Sequence, residues 1–403
     1  MKVVFTSSHA EGTVKAPPSK SMAHRMLLAA GLSEGTCSVC NVQMSADIEA
    51  TTGSLEALGA SVKIKEGTAS VTGCDPRKRT DAIELQCGES GSTIRFFLPL
   101  CLLSGAPAVL KGTEKLLSRP FSVYEDICKE QGLPFEQTKQ ALTVRGPLRA
   151  GTFSFRGDIS SQFVTGLLYA LPLLDGDSEI KLIPPVESRS YIDMTLCALK
   201  NFGVSAEWKD ETTLLVPGNQ HYLSRDAEVE GDWSNAAFLE GLNLLGGKVA
   251  VTGLNENSLQ GDRVYREMYH ELEKGTPTLD LSDCPDLGPV LFALAAARHG
   301  AVFTGIERLR LKESDRIEAM REELTKFGAG FSADSRTVTI TPGLHAPDAP
   351  LYGHNDHRIV MALSLLCSAL GGMIEGAEAV RKSFPDYFER LKELGVKLYE
   401  LDQ

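Results

Sequence analysis

The sequence predicts an α/β fold in two domains, each built from three copies of one unit, with apolar helices gathered inside and sheets outside. Three observations carry this reading. A polar turn followed by an apolar helix recurs six times, each such helix leads into a short strand, and an amphipathic helix with one or two alternating strands closes the unit. The copies begin near Ser19, Gly88, Gly157, Gly231, Asp283 and Gly353, so successive starts lie 69, 69, 74, 52 and 70 residues apart. Solenoid units run about 20 to 45 residues, and units of this greater length read as subdomains with their own sheet.

The third copy has the plainest first helix. In GDISSQFVTGLLYALPL, residues 157–173, polar groups crowd the first turn, while Phe163, Val164, Leu167, Leu168 and Leu171 leave no continuous polar face. The helix is therefore expected to be buried nearly all round and to stop at Pro172. The corresponding helices are MAHRMLLAAGL, STIRFFLPLCLL, SNAAFLEGLNLL, LGPVLFALAAA and HRIVMALSLLCSAL. The strands that follow are TCSVCNV, APAVLKG, SEIKLIP, GKVAVTG, GAVFTGI and GMIEGAE, most of them introduced by a turn residue. The second helices, from IEATTGSLEALGA to DYFERLKELG, end in most copies on Gly, which supplies a left-handed C-cap. Alternating strands such as SVKIKE, ALTVRG, TLLVPG, TVTITP and VKLYEL complete the units.

The fourth unit lacks a second strand pair, and the residues before Ser19 hold two strand-like segments, KVVFT and GTVKA, that belong to no unit. These are expected to form an N-terminal hairpin that completes the half made of units four to six. The expected domains are then residues 1–18 with 230–403, the lower domain, and 19–229, the upper domain.

Composition narrows the function. A formal net charge of −12 argues against a nucleic-acid partner, which needs a general basic face. No run of about 18 apolar residues is present, so no membrane partner is expected, and the N-terminus lacks the apolar core of a secretory signal. Nine scattered cysteines read as reduced thiols of a cytoplasmic protein, with Cys37 and Cys40 as small strand residues rather than a metal pair.

The polar turns hold the chemistry. SKSMAHR places Lys20, Ser21 and Arg25 around one helix start, where two cations and a hydroxyl suit a phosphate or carboxylate. GESGSTIR offers Gly88 and Gly91 for backbone approach to an anion, with Ser92 and Arg95 beside them, and Arg119 precedes Pro120 at another helix start. Neither a P-loop nor a dinucleotide fingerprint is present. Ser160, Ser161 and Gln162 open the third apolar helix, and Ser188, Arg189 and Tyr191 lead into its partner. DCPDLGP sets Asp286 at the start of the fifth, RLKESDR supplies Lys312, Glu313, Asp315 and Arg316, NDHR supplies Asp356, His357 and Arg358, and Lys382 precedes the last helix. The spacing of His354, Asp356 and His357 matches no standard metal site, so no metal is expected. Cations and hydroxyls dominate at equivalent positions, which points to small polyanionic substrates. With the apolar helices of each half pointing the same way, the active site is expected in the interdomain cleft.

Taken in order, SKS…R, GxSGSTxR, GDISSQF, SRSYIDMT, EGDWSNAAF, NSLQGD, LRLKESDR, NDHR and KSFPDYFERL resemble the 5-enolpyruvylshikimate-3-phosphate synthases, a family of enolpyruvyl transferases, across practically the whole chain. The resemblance implies two inside-out α/β domains, each of three βαβαββ-type repeats. It implies transfer of the enolpyruvyl group of phosphoenolpyruvate to the 5-hydroxyl of shikimate 3-phosphate by addition and elimination, with release of phosphate, in the shikimate pathway to chorismate and the aromatic amino acids. No cofactor is implied. A monomer that closes over its ligands by induced fit is expected.

By the same resemblance, Lys20, Ser21, Arg25, Ser160, Ser161, Gln162, Ser188, Tyr191, Asp286 and Lys312 hold shikimate 3-phosphate. Phosphoenolpyruvate is assigned Lys20, Gly91, Arg119, Gln162, Arg316, Arg358 and Lys382, with Ser92, Arg95 and His357 in support. Glu313 handles the proton at the phosphoenolpyruvate methylene, Asp286 acts as base toward the 5-hydroxyl, and Lys20 assists. Glu89 stands where the family has Asn, and Trp233 and Asn235 read as packing variants. The rival readings are the sister transferase that uses UDP-N-acetylglucosamine, whose reactive Cys has no counterpart in KGTEKLLSRP, and a non-catalytic anion-binding repeat protein, in which Asp286 and Glu313 would only weaken anion affinity.

Overall fold

The computed structural model describes residues 1–401 and divides them into two compact α/β units, residues 20–230 and residues 1–19 with those from Gly231 onward. Each unit encloses its own apolar cluster. Among the described residues no helix is long and apolar enough to cross a membrane, and all nine cysteines are free.

In the unit 20–230 the helices Lys20–Gly31, Gly91–Cys101 and Ser161–Ala170 are almost wholly buried, as sequences without a polar face must be. The third ends in a 3₁₀ turn, Leu171–Leu173, around Pro172. Helix Gly91–Cys101 packs along Ser161–Ala170. Gly166 makes that approach possible, since a Cβ there would lie 2.3 Å from the Arg95 carbonyl oxygen. Full burial of a Phe or Leu contributes about 1.5–3 kcal/mol, and Phe97, Phe163 and Leu168 are all inaccessible.

Three four-stranded sheets lie around these helices. Their orders are Ala227–Glu228, Thr36–Cys40, Thr68–Thr72, Ser61–Lys65; then Ile83–Gln86, Pro107–Lys111, Ala141–Arg145, Phe135–Gln137; then Thr152–Arg156, Ser178–Ile183, Thr213–Val216, Glu207–Trp208. In each, the first pair is parallel and the rest antiparallel. Parallel strands need a crossover, and the buried helix supplies it in the second and third sheets. The amphipathic helix Ala46–Leu58 ends at Gly59 with φ +110°, a left-handed cap.

The other unit is built on helices Trp233–Glu240, Gly288–Ala297 and His357–Leu370. One sheet runs Thr278–Asp280, Ala301–Thr304, Val338–Thr341, Gly330–Ala333. Another runs Leu351–Tyr352, Gly372–Glu375, Lys2–Thr6, Lys397–Leu401. The N-terminal segments do not form the expected hairpin. Strand Lys2–Thr6 pairs antiparallel with both Gly372–Glu375 and Lys397–Leu401, whereas Glu11–Lys15 pairs parallel with Lys248–Thr252. The link between them is too busy for a tight turn: Ser8 N–H donates to the Ser368 carbonyl and Ser7 Oγ to that of Ala369. Ser19 closes this unit's N-terminal run, its hydroxyl donating to Gln260 Oε1 at 3.2 Å. Gly275, after Tyr265–Lys274, departs from the left-handed caps and is extended, with φ 168°.

Candidate functional site

Two groups of predicted residues assemble, one in each unit. In the unit 20–230 the helix starts collect the cations Lys20, Arg25, Arg95 and Arg119. Arg25, 3% exposed, gives Nε to Thr195 Oγ1 (2.9 Å), Nη1 to the Ser21 carbonyl (2.7 Å) and Nη2 to the Tyr191 carbonyl (3.0 Å). Every one of these acceptors is neutral. Its guanidinium also lies 5.5 Å from the Phe96 ring centroid. Tyr191 thus enters this network through its backbone carbonyl, and its ring centroid lies 5.9 Å from the same guanidinium. Lys20 differs, since its Nζ sits 2.8 Å from Asp47 Oδ2.

Gly91 opens its helix beneath two guanidinium groups. A Cβ there would meet Arg119 Nη1 at 2.9 Å, Arg95 Nη1 at 3.2 Å and Gln162 Oε1 at 3.5 Å. Arg95 donates to Gln162 Oε1 at 2.7 Å, and Gln162 Nε2 donates to Ser92 Oγ at 3.0 Å, so that glutamine is held from both ends. Arg119 makes no ion pair, and its buried Nε has no hydrogen-bond partner among the described residues. Ser160 caps helix Ser161–Ala170 by accepting from Gln162 N–H. Ser188 is buried with φ +53°, a left-handed residue that turns the chain into helix Arg189–Asn201. Glu89 is half-buried in the turn before Ser90.

Behind these starts runs a chain of hydroxyls. His24 Nδ1 meets Thr51 Oγ1 (2.7 Å), Thr51 meets Thr93 Oγ1 (2.8 Å), and Thr93 donates to Ser90 Oγ (2.8 Å), the N-cap of helix Gly91–Cys101. Burial, then the charges of Lys20 and Arg25, push the His24 imidazole well below its ordinary pKa and keep it neutral.

The other unit centres on Arg316, at the start of helix Arg316–Lys326 and 1% exposed. Its Nε reaches Asp356 Oδ2 at 2.9 Å, its Nη1 reaches Asp286 Oδ1 at 2.9 Å, and its Nη2 reaches Glu313 Oε2 at 3.0 Å. Three carboxylates therefore share one guanidinium. Burial alone would raise the Asp286 carboxyl, but Lys312 (3.2 Å), Arg358 (3.6 Å) and Arg316 outweigh it and hold Asp286 well below the usual carboxylate range. Burial lowers Lys312 by more than Asp286 raises it. Asp356 caps helix His357–Leu370 by accepting from Arg358 N–H and also takes Ser314 Oγ at 3.0 Å. His357 is buried as the first residue of that helix. Lys382 donates to the Asn355 carbonyl at 2.6 Å.

Asn235 is more than the packing variant expected, because its Oδ1 accepts from Arg358 Nη1 at 3.3 Å. Trp233 does pack, buried against Arg266 at 4.7 Å. His354 lies on Glu323, 2.9 Å away, with Glu322 near, and Glu323 is already paired to Lys326. Sequence reasoning missed Asp47, which follows the Ser45 cap and reads as an ordinary first-turn acid. It also missed His24, hidden in an apolar run, and Asp262, the last residue of NSLQGD.

The family model described as EPSP synthase (3-phosphoshikimate 1-carboxyvinyltransferase) matches residues 4–391. The 3-phosphoshikimate 1-carboxyvinyltransferase of Clostridium kluyveri is 40% identical over 411 residues, covering 97% of this chain and 96% of that protein. Its counterpart from Clostridium novyi is 37% identical over 418 residues, covering 96% of each. Among solved structures, an EPSP synthase from Acinetobacter baumannii superposes with a TM-score of 0.79 at 21% identity, covering 99% of this chain and 100% of that one, a likeness of fold.

Proposed function

The chain belongs to the EPSP synthase family and performs its enolpyruvyl transfer; on that premise we propose that the residues described above hold shikimate 3-phosphate and phosphoenolpyruvate and move the group between them. One observation carries the catalytic assignment: Arg316 bridges Asp286 and Glu313, so a single guanidinium fixes two carboxyl groups for opposite tasks.

Glu313, as the acid, gives its proton to the methylene carbon of phosphoenolpyruvate. Positive charge develops at the adjacent carbon and the 5-oxygen of shikimate 3-phosphate bonds to it. That hydroxyl's proton passes to Asp286, with Lys20 assisting. Glu313 then takes a proton back from the new methyl group as the bond to the phosphate oxygen breaks, and phosphate leaves with the proton that Asp286 took from the hydroxyl, which returns Asp286 to its ionised form. Asp286, held ionised by its cations, is a weak base in the free protein; drawing Lys312 or Arg358 onto a substrate phosphate or carboxylate strengthens it at the moment of use.

Shikimate 3-phosphate is assigned Lys20, Ser21, Arg25, Ser160, Ser161, Gln162, Ser188, Tyr191, Asp286 and Lys312. Phosphoenolpyruvate is assigned Lys20, Gly91, Arg119, Gln162, Arg316, Arg358 and Lys382. Arg119 and Arg25 suit anions because no carboxylate among the described residues neutralises them. Arg316 has to release a carboxylate to meet a substrate. Glu313 is the one that lets go, since protonation removes its charge.

The test is phosphate release from phosphoenolpyruvate, with and without shikimate 3-phosphate, in EDTA. Release that needs both substrates and survives chelation is the expected result. Release from phosphoenolpyruvate alone, or none with both present, overturns the assignment.

A further inference from the structure

Beside Asp286 lies a carboxyl group that none of these roles uses. Asp262, in the 3₁₀ turn Gly261–Val264, is 1% exposed. Its Oδ2 accepts the Ser234 hydroxyl, and its Oδ1 has no hydrogen-bond partner among the described residues. Ser234 and Asn235 are neighbours in the first turn of helix Trp233–Glu240. While Ser234 serves Asp262, Asn235 takes Arg358, and Arg358 reaches on to Asp286. One turn of helix thus sets two carboxyl groups about one arginine. Arg358 Nε and Asn235 Nδ2 are likewise buried without partners. Three buried polar atoms left unmatched in one connected cluster are uncommon.

The two carboxyl groups differ sharply. Burial, and after it the charge of Asp286, pushes Asp262 up to about 7, with Ser234 and Arg358 pulling down and Asp232 adding to the rise. The titratable and charged groups that face Asp262 are Asp286, Arg358, Asp232 and, on the turn before Asp286, Cys284. Glu240 and Arg266 on the adjoining helices are engaged with each other.

We propose that Asp262 is a positioning residue for phosphoenolpyruvate, a buried acid that leaves the charge of Arg358 to the incoming anion while it keeps its proton, and competes for that charge once the proton is lost. The inference rests on the assignment of Arg358 to phosphoenolpyruvate. No bond of the transfer reaction forms at Asp262. Its ionisation therefore acts on KM for phosphoenolpyruvate and leaves the pH dependence of kcat to Glu313 and Asp286.

The experiment compares the pH profile of KM for phosphoenolpyruvate in the parent, Asp262→Asn and Ser234→Ala, with shikimate 3-phosphate saturating. Phosphoenolpyruvate's own ionisation is common to all three. In the parent, KM is expected to climb above pH 7, approaching roughly tenfold per pH unit. Asp262→Asn, fixed in the neutral form at equal size, loses this climb. Ser234→Ala removes a hydroxyl that favours the charged form, so its climb starts at higher pH. Carboxyl carbon NMR of the substrate-free protein follows the same group directly, and Ser234→Ala is expected to move one carboxyl midpoint upward from near 7. A KM profile unchanged in Asp262→Asn, or no carboxyl titrating between pH 6 and 8, overturns the proposal. A parent that releases no phosphate at any pH overturns the function instead, and the NMR titration then decides Asp262 on its own.

Discussion

Arg316 and Asp356 meet inside the protein, Nε to Oδ2 at 2.9 Å, with 1% and 0% of their side chains exposed. Asp356 also caps the helix that carries Arg358. Removing one partner of a buried pair strands the other charge and costs about 3–5 kcal/mol. Asp356→Ala is expected to lose stability in that range in urea unfolding; a loss below about 1 kcal/mol would mean that Asp286 and Glu313 suffice for Arg316.

The carboxyl groups at the far side of Arg316 answer to a different assay. Glu313→Gln keeps the shape of the side chain but has no proton to give at the methylene carbon. Turnover is expected to fall by about 10²–10⁴ while calorimetry still detects shikimate 3-phosphate. Full turnover in this variant would remove Glu313 from the proton chemistry.

Under the proposed assignment of Gly91 to phosphoenolpyruvate, an added methyl group there is expected to disturb that substrate. The new Cβ would press on Arg119 and Arg95 at 2.9 and 3.2 Å, both of them side-chain ends able to shift. Gly91→Ala should fold, and displacing one charged donor, worth about 1.5–3 kcal/mol, should raise KM for phosphoenolpyruvate roughly tenfold or more. An unchanged KM would place that substrate elsewhere.

His24 makes the protein sensitive to mild acid. Its folded pKa lies well below the unfolded value near 6.5. Between the two, the unfolded chain binds a proton that the folded chain refuses, so stability present above pH 6.5 is lost as pH falls. The loss is at most about 2 kcal/mol from pH 6.5 to 5. His24→Gln should flatten that part of a plot of melting temperature against pH; an unaltered slope would assign the acid sensitivity to other groups.

Much of this was legible in the sequence because periodicity reports burial. A segment such as FVTGLLYAL has no polar face, and the structure buries it. The helix-start cations were legible too, because Lys20, Arg25 and Arg95 sit beside Ser and Gly in short motifs. Pairings that depend on long-range contact were not. Nothing local in KVVFT and GTVKA tells that the two strands go to different sheets. Asp262 and Arg358 lie 96 positions apart, and their coupling exists only where Ser234 and Asn235 bring them together.

The strand Lys2–Thr6 has its two neighbours at the opposite end of the chain. On a ribosome, residues 20–230, one compact unit, emerge as one uninterrupted stretch. The first strand comes out before them and has no sheet to join until Gly372–Glu375 and Lys397–Leu401 have followed. At about 5–20 residues per second, it waits roughly 10–35 s after the contiguous unit is complete. Throughout that time KVVFT is a short, unpaired, β-prone segment, and a chain cut before Gly372 leaves it so permanently.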